Sequence, residues 1–395
     1  MARHIAVGID IGTYHIKVVV TSAETAAEKS MPKIIGISQV ESKGLRHGYI
    51  INQREAVKSL YQALRQAEKS SGIKISRAFL AVGGVGLTSI TSLASIVTSR
   101  ADSEITALDV QKLHEIAQND IPQALSMNRQ VLHEVPLQYK IDGKTVLGRP
   151  EGMKGLRLEV KMLFITCLSR HLNDLIEAVQ ECGVEVEDVM AAPLAASFVS
   201  LSKTQKIAGC VLANIGAETV SIVVYENGIP ISLEIFPIGS NDITNDIALG
   251  LKIPLEEAEH IKLGGSRSSD YSKKKLDEIV SARLGDIFDL IELHLKKIDR
   301  NGLLPAGIII TGGGSGITTI EDLAKGVLKL PSKKSDIKFE STKGTIKDAT
   351  WAVAYGLCVL AFTTDEGGSI SSQLGRRLIK TTGSSLLNWI KKFLP

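Results

Sequence analysis

Cysteine is scarce. Four cysteines in 395 residues (Cys167, Cys182, Cys210, Cys358) stand far apart, with no C-x-x-C pair. That excludes a disulfide framework or a thiolate zinc site and fits a reducing cytoplasm. Aromatic residues make up 4%, too few for a base-stacking surface, so no nucleic-acid partner is expected. No apolar run approaches the ~18 residues that a membrane-spanning helix needs. The opening MARHIAVGID lacks a basic stretch followed by a long apolar run, so no signal peptide is read. A G-x-x-x-x-G-K-[ST] motif is missing, which excludes a P-loop. So is G-x-G-x-x-G, which argues against a dinucleotide-binding Rossmann site.

What is present points to a folded chain. Apolar residues are 44% and charged residues 23%, ordinary for a globular protein and wrong for a disordered one. The length suits two or three domains. The net charge of +3 conceals an asymmetry: up to Glu366 there are 41 basic and 43 acidic residues, and after it five basic and no acidic ones. A basic tail on a neutral body suggests an anionic partner.

Residues 7–20, VGIDIGTYHIKVVV, align without gaps on residues 211–224, VLANIGAETVSIVV, placing Asp10 over Asn214 and Gly12 over Gly216 at an offset of 204 residues. Each copy reads as a β-rich run, a Gly turn and a second β-rich run, hence a hairpin. A repeat at half the chain length suggests two related domains. Amphipathic or capped helices are predicted over 55–70, 108–117, 171–182, 254–265, 276–298, 320–328 and 348–362. A buried strand opening into a Gly-rich loop is predicted over 307–317. Alternating strands and helices mean an α/β fold.

Three elements suit phosphate. In the turn Asp10–Lys17, Gly12 leaves the backbone open to close approach, Thr13 adds a hydroxyl, Lys17 a positive charge, and Asp10 a carboxylate able to hold Mg2+ through its waters. The turn of residues 214–221 could face the first across a cleft. The glycines of TGGGSGI (311–317) would let a nucleoside lie on the backbone.

The last twelve residues, SSLLNWIKKFLP, follow a Gly/Ser/Thr-rich stretch read as a flexible linker. At ~100° per residue, Leu386, Leu387, Trp389, Ile390, Phe393 and Leu394 cover roughly 160° of arc, with Asn388, Lys391 and Lys392 opposite. Such a segment is built to lie in a membrane interface and is too short to span it. Arg376, Arg377 and Lys380 add attraction to anionic lipid.

The three phosphate elements in this order resemble the actin/Hsp70/sugar-kinase superfamily. Within it, GIDIGTYHIK, SKGLRHGYI (42–50), VLHEVPLQYKIDG (131–143), PEGMKGLRLEV (150–160), PIGSNDITNDIALGLKIPLEEAEHIK (237–262), ITGGGSGI and the tail resemble the FtsA family of bacterial cell-division proteins over nearly the whole chain. The resemblance implies duplicated actin-like (RNase H-like) domains around a nucleotide cleft, with an inserted subdomain and a C-terminal amphipathic helix. It implies residues 1–82 and 166–195 as the first large subdomain, 83–165 as the insertion, 196–240 and 302–363 as the second large subdomain, and 241–301 as the small subdomain that receives the FtsZ C-terminal peptide. Residues 364–383 would be the linker, with a return to the first subdomain left open, and 384–395 the membrane helix.

By position, the resemblance implies ATP with Mg2+ held by Asp10, Gly12, Thr13, Tyr14 and Lys17, by Asn214, Gly216, Ala217, Glu218 and Thr219, by Gly312, Gly313, Gly314 and Ile317, and by Glu259 and Lys262. No catalytic residue is assigned. The second loop usually reads D-I-G-G-G-T in the family; here it is N-I-G-A-E-T. Asn214 brings no carboxylate to orient water, and Glu218 sets a negative charge where phosphate is expected, so weak or absent hydrolysis is anticipated. The implied role is a filament-forming tether of FtsZ and other division proteins to the cytoplasmic membrane face at the septum. Two other readings remain open: the actin-like protein of type IV pilus assembly, and a small-molecule kinase or ATPase.

Overall fold

The computed structural model describes residues 4–23, 31–265, 272–342 and 344–364. The chain opens with β1 (His4–Ile11), β2 (His15–Ala23) and β3 (Lys33–Glu41), then a small hairpin of β4 (Leu45–Arg46) and β5 (Tyr49–Ile50). Helix α1 (Gln53–Ser71) starts where the Asn52 side chain accepts the Glu55 N–H and stops at left-handed Gly72. Strand β6 (Arg77–Val82) follows. An inserted unit then holds β7 (Thr88–Val97), α2 (Ala107–Asn119), α3 (Gln123–Ser126), β8 (Arg129–Ile141), β9 (Lys144–Val146) and β10 (Arg157–Leu168). Helix α4 (Ser169–Glu181), β11 (Glu185–Ala191) and α5 (Ala192–Ser200) complete the first half.

After α6 (Lys203–Ala208), the second half runs β12 (Cys210–Ile215), β13 (Val220–Glu226) and β14 (Ile229–Phe236). Helices α7 (Ser240–Leu251), α8 (Leu255–Lys262) and α9 (Lys273–Lys297) come next, then β15 (Ile308–Thr311), α10 (Ile320–Leu328) and β16 (Ser332–Lys334). The chain ends through β17 (Phe339–Ser341), β18 (Gly344–Ile346) and α11 (Ala352–Thr364).

Two sheets share one winding. The first is ordered β11-β6-β1-β2-β3-β17-β18 and the second β14-β13-β12-β15-β16. In each, a hairpin continues antiparallel into a third strand and pairs parallel on its other side. The registers also match: Asp10 lies opposite Lys17, and Asn214 opposite Ser221. The 204-residue repeat is thus a repeat of topology down to the paired residue. Both hairpins are buried on both faces, as a central sheet requires.

The insertion folds as a separate sheet, β7-β10-β8-β9, under α2 with its own apolar core around Leu113, Leu158, Met162 and Phe164. It touches the second half where the Ser89 hydroxyl donates to Leu233 O and accepts the Leu233 N–H, both at 2.8 Å. Helices α7, α9 and α10 share a core with one face of the second sheet.

Two expected boundaries change. Residues 302–363 do not all belong to the second half: β17 and β18 extend the first sheet beyond β3, and residues 351–361 join the first core. The physical reason is the free edge of β3, which a short parallel strand can satisfy. The division at 195/196 falls inside α5, a buried helix that crosses α11. Helix α11 approaches β1 at Gly8 and α5 at Gly356, where an added Cβ would meet Ala354 O at 2.1 Å and Ala195 O at 1.9 Å. Among the described residues no helix is long and apolar enough to cross a membrane. Leu386, Leu387, Trp389, Ile390, Lys391, Lys392, Phe393 and Leu394 lie outside the described residues, as does nearly all of the linker.

Candidate functional site

The tips of the two hairpins are built alike. Gly12 N–H donates to His15 O at 3.2 Å, and Gly216 N–H donates to Thr219 O at 2.9 Å, the same bond 204 residues apart. An added Cβ would stand 2.9 Å from His15 O at the first tip and 3.0 Å from Thr219 O at the second, so both turns favour glycine. Both tips open on a single cleft of about 630 Å³ between the halves. It is lined by Asp10, Gly12, Thr13, Tyr14 and Lys17 from one side, and by Asn214, Gly216, Ala217, Thr219, Glu259, Lys262, Gly312 and Gly313 from the other.

Glu218, Gly314 and Ile317 are not brought into that lining. Gly314 is buried against β12, where a Cβ would meet Ile215 Cγ2 at 2.4 Å. Ile317 packs into the second core, and its carbonyl accepts the Lys334 ammonium at 2.9 Å. Glu218 corrects the expectation of a carboxylate pressed on phosphate. Its Oε2 accepts the His47 N–H at 2.6 Å, from the opposite half. That backbone donor takes up its charge.

The electrostatics centre on Asp10 and Lys17. Burial raises the Asp10 carboxyl to about 6, partly offset by Lys17. Burial also lowers Lys17, with Asp10 and then Asp348 opposing the shift. Lys17 is 8% exposed; its Nζ donates to Thr350 O at 2.8 Å and lies 5.6 Å from the centre of the Trp351 ring. Asp348 caps the turn before α11 by accepting the Thr350 N–H at 2.8 Å. Tyr14, 53% exposed, meets His15 edge-on at 4.4 Å. On the small-subdomain side, Lys262 Nζ donates to Glu259 Oε2 at 2.6 Å, Thr244 Oγ1 at 2.8 Å and Ser240 O at 3.1 Å. The pair is pinned in place, not loosely solvated.

Sequence reasoning missed part of the lining: Gln39, Gly48, Gly83, Gly84, Ser240, Asn241, Asp348 and Thr350. Residues 42–50 carried the family pattern without an assigned role. They buttress the first turn: Ser42 Oγ donates to Gly12 O at 2.6 Å, and Gly48 N–H donates to Thr13 Oγ1 at 3.0 Å. Gly48 and Gly84 are both left-handed, and a Cβ on Gly48 would meet Gly84 Cα at 2.4 Å, so conformation and close approach together explain why neither holds a side chain.

Solved structures share this architecture. A PilM–PilN type IV pilus biogenesis complex superposes with a TM-score of 0.66 at 16% identity, covering 90% of this chain and 98% of that one. MreB5 of Spiroplasma citri bound to ADP superposes with a TM-score of 0.52 at 12% identity, covering 92% and 99%. Two like-wound halves clasping a cleft lined by paired glycine turns define an actin-like fold. Family models specify it further: "Cell division protein FtsA" matches residues 211–356, and "SHS2 domain inserted in FTSA" matches 84–166. Cell division protein FtsA of Bacillus subtilis is 30% identical over 344 residues, spanning 82% of this chain and 76% of the relative, and that of Pseudomonas aeruginosa is 28% identical, spanning 93% and 92%. The chain belongs to the cell division protein FtsA family.

Proposed function

We propose that this chain binds ATP with Mg2+ in the cleft and uses it as a conformational switch in a membrane-bound division filament. The observation that carries the reading is the pair of equivalent turns, Gly12–His15 and Gly216–Thr219, facing one cavity. The donor set suits magnesium, being oxygen only: the Asp10 carboxylate, with the Asn214 amide in the same lining. A bound magnesium would neutralise phosphate charge. Lys17 adds a fixed cation beside the first turn, and the Glu259 carboxylate, held in place by Lys262, offers a hydrogen-bond acceptor to the nucleoside. With Asn214 in place of a carboxylate and Glu218 engaged by His47, the second turn brings no carboxylate to the cleft to activate water, so turnover is slow. Nucleotide shifts the cleft toward closure by binding that state better. The small subdomain around α7–α9 takes the FtsZ C-terminal peptide, the chain self-associates and binds other division proteins, and residues 384–395 hold the assembly to anionic lipid at the septum.

The raised Asp10 carboxyl gives a test. It is mostly neutral at pH 5 and mostly charged at pH 7.5, and magnesium favours the charged form. Calorimetric titration with Mg-ATP is expected to show affinity rising roughly tenfold across that window, in line with one titrating group. Asp10→Asn should leave only the slope that the nucleotide itself contributes. No heat of binding at pH 7.5 would reject the cleft as a nucleotide site.

A further inference from the structure

The family pattern places two small residues where this chain has Ala217 and Glu218, and the fold shows what the longer side chain reaches. Glu218 stands on the second phosphate turn, yet its carboxylate crosses to the first half. There Oε2 accepts the His47 N–H at 2.6 Å, while the His47 ring Nδ1 lies 3.2 Å from Glu218 O. His47 has φ of +49°, so its amide is aimed by a left-handed turn that the hairpin β4–β5 and the following Gly48 enforce. The next amide, Gly48 N–H, donates to Thr13 Oγ1. His47 O accepts Val85 N–H at 3.3 Å, at the root of the insertion. One two-residue turn therefore touches the first phosphate turn, the second phosphate turn and the inserted unit.

We infer that Glu218 is a positioning residue that ties the second phosphate turn to the His47–Gly48 turn, and through Gly48 to the first phosphate turn, and slows nucleotide release. The inference rests on the nucleotide reading of the cleft and goes beyond it by assigning a rate-setting contact to a residue outside the lining. The halves cannot part without separating Glu218 from His47. A hydrogen bond from a backbone amide to a carboxylate belongs to the stronger, charge-assisted kind. Its loss is expected to speed release roughly tenfold or more. A carboxylate that merely repelled phosphate would have the opposite sign: removing it would tighten binding and slow release.

Stopped-flow displacement of a fluorescent ATP analogue from the full chain tests this, using wild type, Glu218→Ala and Glu218→Gln. Glu218→Ala should release the analogue roughly tenfold faster or more. Glu218→Gln keeps an acceptor oxygen without the charge and should restore part of the residence time, between Glu218→Ala and wild type, which a simple loss of local folding would not allow. Amide exchange in the nucleotide-free protein gives a second readout: exchange at His47 should accelerate in Glu218→Ala and accelerate less in Glu218→Gln. Equal or slower release from Glu218→Ala, with wild-type binding intact, overturns the clasp alone. A wild type that binds no analogue overturns the nucleotide reading and the role given to Glu218 with it.

Discussion

Gly312→Ala is expected to weaken Mg-ATP binding by roughly a hundredfold, ~2.8 kcal/mol. Gly312 has φ of +86° and ψ of 178°, a region that is essentially closed to residues with a Cβ. The added Cβ would also stand 2.2 Å from Asn214 Oδ1 and 2.7 Å from Ile215 O. The glycine loop must then move off the second phosphate turn, and with it one wall of the cleft. Gly316 serves as the control. It lies in the same loop without a left-handed φ, and a Cβ added there would meet nothing within 4 Å. Gly316→Ala should bind Mg-ATP as wild type does in the same calorimetric titration. Equal affinities for the two variants would mean that the glycine loop does not shape the site.

Gly356→Ala should cost about 2 kcal/mol of stability. Helix α11 rests on α5 so closely that a Cβ would fall 1.9 Å from Ala195 O and 2.6 Å from Ala195 C. Both obstacles are backbone, so a whole helix must shift. Overpacking a tight core costs about 1–3 kcal/mol and sometimes more, and the ~1 kcal/mol that alanine gains over glycine in a helix offsets only part of it. Gly285 in α9 provides the contrast. Its Cβ position is open, so Gly285→Ala should stabilise by about 1 kcal/mol. Denaturant midpoints of the two variants should move in opposite directions. A shift of the same sign in both would contradict the packing described at the α5–α11 crossing.

The duplicated hairpins were legible because apolar residues and glycine turns recur in phase, and phase fixes register. That is why Asp10 opposite Lys17 and Asn214 opposite Ser221 follow from an ungapped alignment. Long amphipathic segments were equally plain: α10 spans Ile320–Leu328, the range that its periodicity gives. What escaped was decided elsewhere in the chain. Strands β17 and β18 have three residues each and no alternation to read; the open edge of β3 recruits them. Helix α5 is short and Ala-rich, without a polar face to mark it. Glu218 is the sharpest case. Its neighbours in sequence set it beside phosphate, but its partner is an amide 171 residues away, which no local pattern encodes. Asp348 and Thr350 were hidden for the same reason, since Lys17 reaches them from the far end of the chain.

The central claim, a membrane tether for FtsZ, is tested most directly by co-sedimentation with anionic lipid vesicles in Mg-ATP. The full chain is compared with one ending at Gly383 and one carrying Trp389→Glu and Ile390→Glu, each with and without FtsZ. The account predicts that only the full chain pellets with vesicles and that FtsZ pellets only alongside it. Equal pelleting of all three chains, or of none, would contradict it.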